Sequence, residues 1–175
     1  MLAYKIIYGP MNKAIQLLIY ISFFIVSCSQ KKTNKDFLIQ IDSLTYHDPD
    51  SAILCLHNLS DSMNNVSLDI QMYYKLLTIK ANDKAFIKHT SDSLVLSVVS
   101  YYEKTKDIHH LAEVYYYAGR VYADLYDAPR GLNYYQKAIE AFGEKHSSRL
   151  LGVIYSQMGD LLLYQNVYDE AMEAY

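Results

Sequence analysis

Apolar and polar positions follow a helical rhythm along most of this chain. Over residues 69–82, Met72, Tyr73, Leu76, Leu77 and Ile79 fall three and four apart, which puts them on one face of a predicted helix. A predicted loop over 83–90 leads to a second helix, 91–104. Ser91 or Asp92 is its expected cap, and Leu94, Leu96, Val98, Val99, Tyr101 and Tyr102 its apolar set. Tyr115, Ala118, Gly119 and Tyr122 form the next stripe. It breaks at Asp127-Ala128-Pro129-Arg130, where Pro129 suits a helix start and disfavours helix at the residue before it. Gly131, Leu132, Tyr135, Ala138, Ile139 and Phe142 make the stripe that follows. A turn is expected over 143–148, marked by Gly143, Ser147 and Ser148. Tyr155, Met158, Gly159 and Leu162 then give another helix, with a break near Gln165-Asn166 before Ala171 and Tyr175. Upstream, residues 36–44 and 51–59 read as a short hairpin turning at His47-Asp48-Pro49-Asp50, with Asp50 as the cap. Phe37, Ile41 and Leu44 are expected to face Ile53, Leu56 and Leu59.

Parts of this pattern recur. Tyr101-Tyr102-Glu103-Lys104 returns as Tyr134-Tyr135-Gln136-Lys137, and Gly119 and Gly159 stand 40 residues apart in similar surroundings. The physical logic is alternation of size. Gly119, Gly131 and Ala138 let two backbones approach, while Tyr115, Tyr122 and Tyr135 fill the space between successive hairpins. That use of rings accounts for 19 tyrosines in a chain without tryptophan, with no need for catalysis.

These residues resemble the tetratricopeptide repeat, a helix–turn–helix unit of about 34 residues. Tyr115 stands where that family often has tryptophan, Gly119 and Tyr122 match, and Gly131, Tyr135 and Ala138 take the small, aromatic and small positions of the second helix. The closing proline is missing. The resemblance implies an all-α, right-handed helical-hairpin solenoid over 36–175, with the first hairpin covering its open face. It also implies a concave groove lined by the first helix of each pair. The groove positions carried over are Glu113, Tyr116, Arg120 and Asp124, then Ser156, Asp160 and Tyr164. Their mix suits a polar, extended protein or peptide ligand, with Tyr116 and Tyr164 as amphipathic anchors. The lysines and asparagines of the chaperone-type carboxylate clamp are absent from these positions.

The N-terminal segment has a different character. Residues 14–26 are apolar apart from Gln16 and Ser22, a run of 13, and Lys13 precedes them. A spanning helix needs roughly 20 such residues and a signal-peptide core about 7–15. Residues 1–27 therefore read as a signal peptide, with Met11 the better start. The run ends at Ile25-Val26-Ser27-Cys28-Ser29, which resembles a bacterial lipoprotein lipobox. That resemblance implies cleavage before Cys28, a lipid on its thiol, and residues 28–35 as a polar tether. Removing residues 1–27 takes away Lys5, Lys13 and no acid, which changes the net charge from −3 to −5. The layout as a whole resembles bacterial lipoprotein-anchored tetratricopeptide proteins. In that family Pro-Asp-Ser-Ala opens an early helix, as at Pro49 to Ala52. Ser-Asp-Ser-Leu precedes a Tyr-Tyr-Glu-Lys helix end, as at Ser91 to Leu94 and Tyr101 to Lys104. The tether holds no acidic cluster of the kind a surface-export tag carries, so a periplasm-facing position in the cell envelope is expected.

Composition removes several function classes. With 51% hydrophobic and 20% charged residues the chain is no disordered or low-complexity segment. Its net charge of −3 carries no basic footprint for nucleic acid. Two cysteines suit neither a disulfide scaffold nor a four-ligand zinc site, and Cys55, among leucines, reads as a buried thiol. His109 and His110 are adjacent and point about 100° apart on a helix, so they read as a helix start rather than metal ligands. Asp48 with Asp50, and Asp124 with Asp127, read as turn and helix-end chemistry. No cofactor motif or catalytic constellation stands out. The final segment, 169–175, is a short stretch of second helix whose seam expects a further helix, so the chain reads as a fragment of a longer protein. The expected function is a non-catalytic, lipid-anchored scaffold that binds a protein or peptide. The alternative is the periplasmic sensory half of a membrane-spanning transcriptional regulator.

Overall fold

Helix caps sit where the apolar pattern breaks. The structure, a computed structural model, describes residues 35–142 and 149–175. The signal segment, Cys28, most of the tether and the turn at 143–148 lie outside the described residues. Those described form α1 over residues 35–47, α2 (Pro49–Leu59), α3 (Leu68–Lys84), α4 (Ser93–Thr105), α5 (Ile108–Asp124), α6 (Ala128–Phe142), α7 (Arg149–Tyr164) and α8 (Tyr168–Ala174). A 3-10 turn, Ser60–Asn65, joins α2 to α3. No strand occurs among the described residues, and the fold is all-α.

Asp48, rather than the expected Asp50, caps α2. Its carboxylate accepts the Ser51 backbone N–H at 3.1 Å and the Ser51 hydroxyl at 2.6 Å, with Pro49 in the first turn. Asp50 lies inside that turn, where a negative charge still favours the helix N-terminus. Asp107 caps α5 through the His109 N–H, and Asp127 accepts the Arg130 N–H at the start of α6. Between α3 and α4, Ser91 Oγ accepts the Ser93 N–H at 3.2 Å, while Asp92 at the N-cap makes no side-chain capping bond.

Three helix ends share one geometry at a spacing of 40 residues. Phe86, Tyr126 and Asn166 follow α3, α5 and α7 with φ of 58°, 61° and 60°. In each case the next N–H reaches back to a carbonyl five residues earlier: Ile87 to Asn82, Asp127 to Tyr122, Val167 to Leu162. These are Schellman ends, which satisfy carbonyls that a helix terminus otherwise leaves open. The helix bounds repeat at the same spacing, since α3 and α5 both run 17 residues from positions 68 and 108.

From Leu38 to Tyr175 the chain is one compact unit. From α2 on, successive α-helices pack together, and α3 with α5 and α5 with α7 also touch. One core cluster lies among α1, α2 and α3, around Leu38, Ile41, Ala52, Leu56, Ile70 and Leu77. Leu38 is buried and Phe37 exposed, a shift from the expected phase of α1. Cys55 is a half-buried free thiol against this cluster rather than a buried one. The second cluster runs from α3 to α7 and holds Leu76, Val98, Val114, Tyr117, Tyr135 and Ile154.

The glycines set the closest approaches. A Cβ on Gly119 would lie 2.3 Å from Tyr135 Cε1, so the tyrosine ring of α6 sits directly on the α5 backbone. The same lock recurs 40 residues on, where a Cβ on Gly159 would lie 2.8 Å from the Tyr175 ring. Gly131 lies under Leu161, with the Gly119 carbonyl 3.5 Å from its virtual Cβ. Tyr122 stacks on Tyr134 with centroids 5.5 Å apart and planes 5° from parallel. Several ring hydroxyls exit to acids, as from Tyr73 to Asp42, Tyr115 to Glu103 and Tyr122 to Asp92.

Candidate functional site

Polar side chains that link α1, α3, α5 and α7 build the site from beneath. Lys80 of α3 is 3% exposed, and its ammonium donates to Asp42 of α1 at 2.6 Å and Glu113 of α5 at 2.7 Å. It also lies 4.4 Å from the centroid of the Tyr46 ring. Burial alone would lower its pKa, but the Glu113 charge and both carboxylate hydrogen bonds hold it above the usual lysine range. Forty residues later, Arg120 of α5 takes the equivalent place. Its Nε donates to the buried Asp83 at 2.6 Å and its Nη1 donates to Gln157 of α7. Gln157 Nε2 donates in turn to Asp160, which also accepts the Tyr175 hydroxyl at 2.5 Å. Burial again opposes the Arg120 charge, and Asp83 restores it.

Above this layer lies a cleft of about 650 Å³ lined mainly by α5 and α7, with Lys88 and Tyr126 from the loops after α3 and α5 and Ala128 from α6. Arg120, Asp124, Asp160 and Tyr164, four of the expected groove positions, all line it. Tyr126 and Tyr164 are 82% and 83% exposed, so two tyrosine rings stand open to solvent at one site. Asp124 is held by the loop after α3, accepting the His89 backbone N–H at 3.0 Å and contacting His89 Nδ1 at 2.8 Å. A smaller pocket of about 190 Å³, lined by Phe86, Ile87 and Asp83, shares Lys88, Arg120 and Asp124 with the main cleft.

The remaining expected positions sit elsewhere. Glu113 is engaged with Lys80 in the inter-helix layer. Tyr116 is buried, its ring edge-on to Tyr117 at 4.9 Å and tilted against Tyr135, so it packs the core instead of offering an anchor. The reason is the position of α5, which touches α3, α4, α6 and α7 and so leaves few open faces. Ser156 is exposed on α7 and does not line the cleft. Sequence reasoning missed Lys88, Tyr126 and Gln157. Tyr126 carried a usable signal, since Tyr46, Phe86 and Tyr126 are aromatics spaced by 40.

His109 and His110 belong to the start of α5. His110 Nδ1 lies 2.8 Å from Asp107 and its ring packs against Tyr73 and Tyr102. Among the described residues no three His, Cys, Asp or Glu side chains converge as metal ligands would. No described helix is long and apolar enough to cross a membrane. In comparisons with known proteins, no family model, curated protein or solved structure matches the chain.

Proposed function

We propose that this chain is a tetratricopeptide-like, right-handed helical-hairpin scaffold that binds a protein or peptide segment in the cleft between α5 and α7. In this reading residues 1–27 are a signal peptide, and lipid on Cys28 holds the fold at a membrane, facing the periplasm. The observation that carries the binding proposal is the cleft itself. It gathers Arg120, Asp124, Asp160 and Tyr164, each expected at a groove from the resemblance, beside a second exposed ring from Tyr126. A groove with rigid helical walls, fixed hydrogen-bonding groups and amphipathic rings suits an extended segment, because the rings add contact area at small entropic cost. Such a scaffold needs no catalytic constellation.

The test is selection of peptides from a random library on the purified chain, followed by titration of enriched sequences. Tyr164→Ala is expected to weaken them by about 2 kcal/mol, roughly thirtyfold, as loss of an aromatic anchor does. A library that yields no enriched sequence, or binding indifferent to Tyr164→Ala, contradicts the proposal. For the anchor, Cys28→Ala is expected to move the protein from the membrane fraction to the soluble fraction. Membrane retention of the cleaved, unlipidated variant contradicts that part.

A further inference from the structure

The cleft already holds a cation of its own. Lys88 is exposed, and its ammonium lies 5.3 Å from the centroid of the Tyr126 ring while donating to the Tyr126 hydroxyl at 3.0 Å. The hydrogen bond to the Tyr126 hydroxyl first, and then the charge of Asp124, raise the lysine pKa. An ammonium on an exposed, flexible stem is kept there by no packing. What favours the position is the hydroxyl end of the Tyr126 ring and the nearby Asp124 carboxylate.

The charge balance of the lining points the same way. Arg120 is already taken by Asp83 and Gln157. Among the described residues that line the cleft, that leaves Lys88 as the cation facing Asp124 and Asp160, with Tyr126 and Tyr164 as open aromatic faces. A carboxylate offers about four lone-pair sites, so both acids can accept further donors beyond His89, Gln157 and Tyr175. The site therefore favours a positively charged guest over an acidic one.

We propose that the cleft selects basic segments: an arginine or lysine of the bound peptide displaces the Lys88 ammonium from Tyr126, Tyr164 covers its stem, and Asp124 and Asp160 supply the counter-charge. Lys88 then acts as an internal competitor that a true ligand must push aside. This rests on the groove-binding reading above and adds to it the chemistry of the partner.

The experiment is calorimetric titration of the full chain, at low salt, with a capped peptide alternating arginine and glycine, and with the corresponding glutamate peptide. The arginine peptide is expected to bind, more weakly as salt is added, and the glutamate peptide to bind less well. Lys88→Ala is expected to tighten arginine-peptide binding severalfold by removing the competitor. Tyr126→Asn keeps a residue that tolerates the left-handed backbone, as Asn166 does one repeat later, and is expected to weaken binding about tenfold. Weaker binding in Lys88→Ala, or preference for the glutamate peptide, overturns the basic-segment proposal and leaves the groove-binding reading standing. Failure of both peptides, together with an empty library selection, overturns both.

Discussion

A bulky residue with positive φ carries a steric cost of about 1–2 kcal/mol, because its Cβ crowds the neighbouring carbonyl. Phe86 and Tyr126 both accept it, and both are almost wholly exposed, so burial does not compensate for it. Glycine is the usual occupant of that helix-end position. Phe86→Gly is therefore expected to raise stability by about 1 kcal/mol, measured as the urea midpoint; a lower midpoint would mean the ring makes contacts that outweigh the strain. Tyr126 also lines the cleft, and the proposed role of its ring in binding a ligand would account for keeping a strained residue there. At this scale the sequence was partly legible. Gly119, Gly131 and Ala138 read as positions of close approach and Tyr135 as a filling ring, because small and aromatic residues alternate at local helical spacing. The pattern favours Asp50 over Asp48, since either aspartate suits a cap and only the backbone decides which side chain meets the Ser51 N–H.

Between elements, Lys80 ties three helices through Asp42 and Glu113. Replacing one member of such a buried group leaves the others facing each other without a counter-charge, at a cost of about 3–5 kcal/mol. Lys80→Met is expected to lower the urea midpoint by that order, and Glu113→Gln added to it to recover part of the loss. If the double variant is no more stable than the single one, Lys80, Asp42 and Glu113 do not act as one electrostatic unit. None of this was legible in the sequence. Asp42, Lys80 and Glu113 are separated by 38 and 33 residues, and helical periodicity fixes a face without fixing which polar group on another helix meets it. The resemblance expects Tyr116 at the groove, on an open face of its helix, whereas α5 is covered on several sides. The cleft is half legible: Arg120, Asp124, Asp160 and Tyr164 are expected from the resemblance, whereas Gln157 on α7 and Lys88 and Tyr126 on the connecting loops are not.

Across the whole molecule the tyrosines make alkaline pH the sensitive direction. Burial pushes the hydroxyl pKa up for Tyr73, Tyr102, Tyr116, Tyr117 and Tyr135. Tyr115 is pushed up to about 12, by burial first and then by its hydrogen bond to Glu103. A pKa raised in the folded state favours the neutral ring. Its contribution is complete below the unfolded value of 10.0 and is lost as pH climbs toward about 12. Stability is thus expected to fall from about pH 10 upward. In an absorbance titration a subset of tyrosines should ionise only as helicity is lost. Ionisation of all tyrosines near 10 with full helicity retained would contradict the packing assigned to the rings.

The whole arrangement depends on helices held apart by rings and brought together at glycines, and two alanine substitutions isolate that feature. At Gly119 the new methyl group would meet the Tyr135 ring, whereas at Gly152 nothing lies within 4 Å of it. Both positions lie within helices, Gly119 in the interior of α5 and Gly152 at the first turn of α7, so alanine improves helix propensity at each, by up to about 0.5–1 kcal/mol, and the contact sets them apart. Thermal unfolding of the two variants beside the parent is the direct measurement. Gly152→Ala should melt at or above the parent temperature, and Gly119→Ala well below it, through overpacking of about 1–3 kcal/mol. Equal or higher melting temperatures for both would contradict the interlock of tyrosine on glycine from which the cleft is built.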